Sequence, residues 1–205
     1  MNTTTALSPA VLPRRHALLR HTGLALSGSL LVAISAHISF PLFFTPVPFT
    51  LQPLAVLAIG LLLGPAIAFS SLSLYLLEAM AGLPVLAPMG VPGPLHIFGP
   101  TGGYLIAFPF VAALAGWGYS RLRTSDRRKP LLSNFAAALI AAAVADLLLL
   151  TSGSAWLMTL LHLSPAHAFE FGMVPFLPGE GLKVTAAAAL AAGFTRLRQR
   201  NISAE

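Results

Sequence analysis

Pro175-Phe176-Leu177-Pro178-Gly179-Glu180-Gly181-Leu182-Lys183 opens the last apolar run of the chain, an Ala- and Leu-rich stretch with helical character. Pro178 fits the first turn of that helix, where its missing N–H has no partner to lose. Glu180 and Lys183 then stand at i and i+3 on one face. Two formal charges at the mouth of a hydrophobic helix are costly unless they are used. The remainder of the chain reads as a scaffold around that pair.

Of the 205 residues, 56% are hydrophobic and 9% charged, with a mean hydropathy of +0.81. A soluble domain is about one quarter charged, so this composition describes an all-α polytopic membrane protein. No polar block reaches domain size, so residues 1–205 form a single membrane domain: a cytoplasmic tail over 1–16 and a helical bundle over about 18–198. The chain has no cysteine, which excludes disulfides, iron–sulfur clusters and thiol catalysis.

Working outward from the opening stretch, apolar segments predict helices over about 18–38, 53–63, 66–82, 103–122, 131–150 and 178–197. The first follows Arg14 and Arg15 and has some features of a signal peptide, but its length and the apolar segments after it favour a retained helix. Gly64-Pro65 separates the second and third. Between the helices lie three long, proline-rich, largely uncharged connections over 39–52, 83–103 and 151–178. Irregular apolar backbone is tolerated at a membrane only against protein or around a cavity, so these connections are expected to be ordered and to cover something.

Charge sets the topology. Arg14, Arg15 and Arg20 precede or begin the first helix, Arg121, Arg123, Arg127, Arg128 and Lys129 lie between the fourth and fifth, and Arg196, Arg198 and Arg200 follow the sixth. That is eleven of the twelve basic residues, and six crossings put all of them on one side. The positive-inside rule makes that side cytoplasmic, with both termini inside and the three long loops outside. The net charge of +6 is thus a topology signal and gives no reason to expect nucleic acid as a partner.

Glu78, Asp146 and Lys183 fall roughly 6–9 Å below the outer ends of their helices at 1.5 Å rise per residue, with Glu180 shallower. The simplest arrangement is an outward-opening polar pocket capped by the loops. The plainer alternatives are a Lys183 that snorkels to the interface, an Asp146 that serves as its structural partner, and a Glu78 that reaches the surface. Lys183 and the amino end of the last helix suit an anionic group, and Glu180 suits N–H donors. Phe49, Tyr104 and Trp156 are candidates to cover an apolar ligand body. Ala25, Ser29 and Ala33 form a small-residue stripe on the first helix, fit for close packing either within the chain or against a partner. His16/His21 and His162/His167 are each five apart, a poor spacing for zinc. No phosphate-binding loop, nucleophile elbow or His-Glu-x-x-His motif is present, so neither an enzyme nor a metal site is expected.

Four motifs in order carry a resemblance: Thr45-Pro-Val-Pro-Phe-Thr-Leu-Gln52, Gly82-Leu-Pro-Val85, Gly99-Pro-Thr-Gly-Gly-Tyr104 and Pro175-Phe-Leu-Pro-Gly-Glu-Gly-Leu-Lys183. Over about residues 20–198 the chain resembles the BioY family, the biotin-binding S-components of energy-coupling factor vitamin transporters. The resemblance implies six transmembrane helices, high-affinity biotin capture from the extracytoplasmic side of the plasma (inner) membrane, and no cofactor. It also implies a transmembrane coupling subunit and two cytoplasmic ATPases as partners, assigns the stripe of Ala25, Ser29 and Ala33 to the coupling subunit, and leaves a homo-oligomer open. The family's acid-x-x-Lys pair corresponds to Glu180 and Lys183, with Glu in place of the usual Asp. Gln52 and Tyr104 lie within matching motifs. Ala87-Pro-Met-Gly-Val-Pro-Gly-Pro-Leu-His96 departs from the family, and His96 stands where a basic ligand contact is expected. The residues leave two rivals: a self-sufficient proton-coupled carrier of a small carboxylate vitamin, with Asp146 or Glu78 titrating, and a membrane enzyme using the acids.

Overall fold

A computed structural model describes residues 11–89, 93–123 and 133–202. Arg127, Arg128 and Lys129, and the first ten residues of the expected tail, lie outside the described residues. Seven α-helices occur among the described residues: α1 (Val11–His37), α2 (Gln52–Leu63), α3 (Pro65–Met80), α4 (Gly102–Leu122), α5 (Asn134–Leu160), α6 (Pro165–Gly172) and α7 (Leu177–Ile202). Between α1 and α2 the chain makes a two-residue antiparallel pair, β1 (Ser39–Phe40) with β2 (Phe49–Thr50). A 3-10 helix, Gly93–Phe98, precedes α4.

Residues 16–37 of α1, with α4 and α5, are long and apolar enough to cross a membrane individually. The helices α2 and α3 are shorter, at 12 and 16 residues. Their junction is Gly64, whose φ of 81° lies in the left-handed region open to glycine, followed by Pro65 at the start of α3. The outward faces are apolar: Leu26, Leu30 and Ile34 on α1, Phe110 and Trp117 on α4, Val144 and Leu147 on α5, and Leu190 and Phe194 on α7 are exposed. So much apolar surface on every long helix is what lipid requires and water penalises.

The core is small-residue packing. Ala137, Ala138, Ala141, Ala142 and Ala145 on α5 are buried, and α5 packs most extensively on α4 and then on α7. The α2–α4 crossing is also close. A Cβ at Gly60 would run into the carbonyl of Ala112, and one at Gly116 into the carbonyl of Gly60. Without a hydrophobic drive between helices in lipid, such close approach is what holds them together.

Two expectations change. The helix expected over 131–150 runs on to Leu160, so the third connection shrinks and holds the short α6. Ser152, Gly153 and Ser154 do not break α5, because a hydrophobic environment favours an intact backbone ladder. Thr151 meanwhile returns its hydroxyl to Leu147 O at 2.8 Å. The stripe on α1 faces inward: Ala25, Ser29 and Ala33 are all buried, in a helix that packs on α3 and α2. Ser29 donates to Glu78 Oε2 on α3, so the stripe serves a contact within the chain. A partner approaching α1 from outside would meet Leu26, Leu30 and Ile34 instead.

Candidate ligand-binding site

The first turns of α7 deliver the charged pair. Helical spacing stacks Lys183 over Glu180, and its Nζ donates to Glu180 Oε1 at 2.7 Å. Both side chains are buried, at 7% and 5% exposure, so this is an interior ion pair and not a lysine that snorkels to the surface. Lys183 Nζ also sits 3.9 Å from the centroid of the Phe49 ring, within cation–π range. Phe49 comes from β2 and stacks on Phe176 at 6.5 Å with 8° between the planes. A Cβ at Gly179 would overlap the Phe49 ring, so glycine there lets the first connection close against α7.

Asp146 on α5 is buried beside Glu180. Among the described residues, Asp146 Oδ1 and Glu180 Oε2 are both buried and receive no hydrogen bond from a third residue, the two carboxyl groups lying within reach of each other. A buried acceptor left unpaired costs about 1–3 kcal/mol, and Glu180 belongs to the wall of a cavity from which a donor can reach it. Glu78 stands apart on the α1–α3 seam, so the structure brings Asp146, Glu180 and Lys183 together but not all three acids.

The inner cavity measures about 50 Å³. Glu180 and Lys183 share its wall with Gln52 from α2, Tyr104 from α4 and His96 from the 3-10 helix. Leu105, Phe108, Leu149 and Leu150 supply an apolar side. Gln52 Nε2 donates to Tyr75 OH at 2.9 Å, and Tyr75 OH donates to Val85 O at 3.1 Å. This relay ties α2, α3 and the second connection together behind the cavity. Tyr104 OH donates to Gly172 O at the end of α6, while its ring lies 6.4 Å from Phe176. A Cβ at Gly153 would overlap the Tyr104 ring, so α5 makes room for that side chain.

Of the predicted aromatics, Tyr104 lines the cavity and Phe49 covers its lysine, whereas Trp156 stands outside it. The Trp156 indole packs over Gly102 and Gly103 and donates to Gly99 O at 2.9 Å, bracing the entry to α4. Phe176, Tyr75 and Val47 were not singled out from the sequence. Phe176 sits inside the opening motif between two prolines, and that setting was its one signal.

An outer cavity of about 250 Å³ lies between the first connection and the 3-10 helix. It shares Pro48, His96 and Thr101 with the inner one. Thr45 pins its roof, donating to Phe171 O at 2.9 Å and accepting from Val47 N at 3.3 Å.

A bundle with an apolar exterior and a small polar-and-aromatic pocket beneath ordered connections is that of a multi-pass membrane protein, and its family makes it a transport protein and not an enzyme. The chain belongs to the BioY family, matched over residues 4–200. It is 34% identical over 161 residues to a probable biotin transporter BioY of Pyrococcus horikoshii, covering 78% of this chain and 87% of that one. The biotin transporter BioY of Rhizobium etli is 34% identical over 169 residues, covering 81% and 87%. Among solved structures, the S-component for biotin from an ECF-type ABC transporter superposes with a TM-score of 0.75 at 25% identity, covering 95% of each chain.

Proposed function

We propose that this chain binds biotin with high affinity from the extracytoplasmic side and carries it across the membrane as the substrate-specific subunit of an ECF-type uptake system. The observation that carries the reading is the buried Glu180–Lys183 pair in the cavity wall, with Glu180 Oε2 facing no group but the neighbouring acid Asp146 among the described residues. An unpaired carboxylate oxygen needs a donor. The ureido ring of biotin has N–H donors and a carbonyl acceptor side by side, a match for Glu180 and for Lys183 Nζ respectively. The ligand's own carboxylate has no donor to offer, and it would bring a third carboxyl group against one ammonium beside Glu180 and Asp146. The ring therefore goes inward, with Gln52 and Tyr104 flanking it, Phe49 and Phe176 covering it, and His96 at the inner end of the valerate chain.

Six crossings, α1 to α5 and α7, put the basic termini and the segment before α5 on the cytoplasmic side of the plasma membrane, and the connections over the cavity outside. The partners are a transmembrane coupling subunit and two cytoplasmic ATPases. The coupling subunit would meet the exposed Leu26, Leu30 and Ile34 of α1. An inner cavity of about 50 Å³ has room for a few waters only, so the roof must move to admit the ring.

Isothermal titration of the detergent-purified chain with biotin, desthiobiotin and thiamine tests this. Tight binding of the two ureido ligands and none of thiamine is expected. Folded protein that binds neither ureido ligand would sink the proposal.

A further inference from the structure

If the ureido ring occupies the inner cavity, the valerate chain has a way out past Pro48, His96 and Thr101, the residues that the inner cavity shares with the outer one. We infer that the outer cavity receives the carboxyl end of the ligand without selecting for its charge, so that the site takes neutral, carboxyl-modified biotins as well as biotin. The inference rests on the biotin reading above and goes beyond it by naming a wider ligand class.

The argument starts from the sequence. Residues 21–120, which supply both connections that wall the outer cavity, contain a single Asp, Glu, Lys or Arg: Glu78. Glu78 is committed to Ser29 on the α1–α3 seam. The wall of the outer cavity is accordingly proline, aliphatic and hydroxyl in character, from Pro41, Leu42, Thr45, Pro46, Met89 and Thr101, with His96 at the junction. Lys183, the cation of the adjoining inner cavity, does not line the outer one. It is held there by Glu180 and by the face of Phe49.

Discrimination between an acid and its amide requires a site that treats the two ends differently. A paired ammonium or guanidinium would do so, because bonds to a charged partner are about twice as strong as neutral ones. Thr101 offers a hydroxyl hydrogen bond that an amide carbonyl accepts as a carboxylate oxygen does. The outer cavity is also the larger of the two, about 250 Å³ against about 50 Å³, so it has room for an added amide.

The test is titration of the purified chain with biotin and with its primary amide, in the wild type and in Leu42→Arg, which sets a cation at the wall of the outer cavity. The wild type should bind the two ligands within about ten-fold of each other, the lower end of what a charge-assisted bond contributes. Leu42→Arg should shift the ratio toward biotin by about ten-fold or more, with its retained biotin binding reporting the fold. A wild-type preference for the acid beyond ten-fold overturns the inference. So does a ratio that Leu42→Arg leaves unchanged, since the carboxyl end would then lie elsewhere. Failure of both ligands to bind strikes the biotin reading itself, and is distinguishable from either outcome.

Discussion

Replacing Lys183 separates what the buried pair does for folding from what it does for the ligand. In Lys183→Met the apolar stem can still pack on the Phe49 ring, but the 2.7 Å partner of Glu180 Oε1 is gone. Glu180 Oε2 has only the acid Asp146 alongside, so the variant leaves two neighbouring buried carboxyl groups without the cation that offsets them. Breaking one side of a buried ion pair costs about 3–5 kcal/mol. The ligand separately loses a charge-assisted hydrogen bond of about 1.5–3 kcal/mol, which is roughly 10- to 150-fold in affinity. Adding Glu180→Gln removes the orphaned charge and supplies an amide that can donate to Asp146 Oδ1. The double variant should therefore recover most of the lost thermal stability and none of the lost affinity. Thermal unfolding in detergent, followed with biotin titration of the same preparations, reads both quantities. Unchanged affinity in Lys183→Met would remove Lys183 from the site. A double variant less stable than the single one would refute the assignment of the cost to the uncompensated carboxylate.

Phe49→Ala removes the ring above Lys183 and its stack on Phe176, and should weaken biotin binding by about three- to thirty-fold, from a cation–π term of about 0.5–2 kcal/mol, seen as faster dissociation in a ligand chase. Gly153→Ala places a methyl in the Tyr104 ring and should cost about 1–3 kcal/mol of stability through overpacking, read as a lower unfolding temperature. Tyr75→Phe breaks the relay from Gln52 to Val85 O, so it should cost about 1 kcal/mol of stability and reduce biotin affinity less than Gln52→Leu does in parallel titrations. Trp156→Phe loses the bond to Gly99 O, a backbone group of the outer wall, but the indole itself lines neither cavity, so stability should fall by about 1 kcal/mol while affinity holds; a large loss of affinity would place the indole in the site.

Much of this fold is legible in the sequence because lipid imposes few solutions. An apolar run must be helical, and Gly64-Pro65 can only be a junction, so α2, α3 and α4 begin and end within a residue or two of expectation. The ends that moved are those where local chemistry reads as loop. Ser152-Gly153-Ser154 looks like a break by composition, yet the environment keeps it helical, and the fold uses the missing side chain of Gly153 to seat Tyr104. The pair of Glu180 and Lys183 was legible because charge in such a setting demands a reason. The inward turn of Ala25, Ser29 and Ala33 was not, since a small-residue stripe reports close approach without saying what approaches. Phe176 and Tyr75 escaped notice for a related cause. Their roles depend on Phe49 and Gln52, distant in sequence, and no local pattern encodes a stack or a relay between connections.

The contact between Gly60 and Gly116 has a bearing on what the site can recognise. Gln52 begins α2 and Tyr104 lies in the first turn of α4, and both line the inner cavity. Because the two helices touch backbone to backbone further along, neither can slide or spread without separating carbonyl from Cα. The distance between those two walls is thereby gauged by the bundle itself, in the manner of a calliper clamped at its pivot. If the biotin ring lies between these walls, a ring system one bond wider would have to part that backbone contact or push on the roof. Size exclusion across that gap then becomes a property of the helices and not of any side chain that touches the ligand.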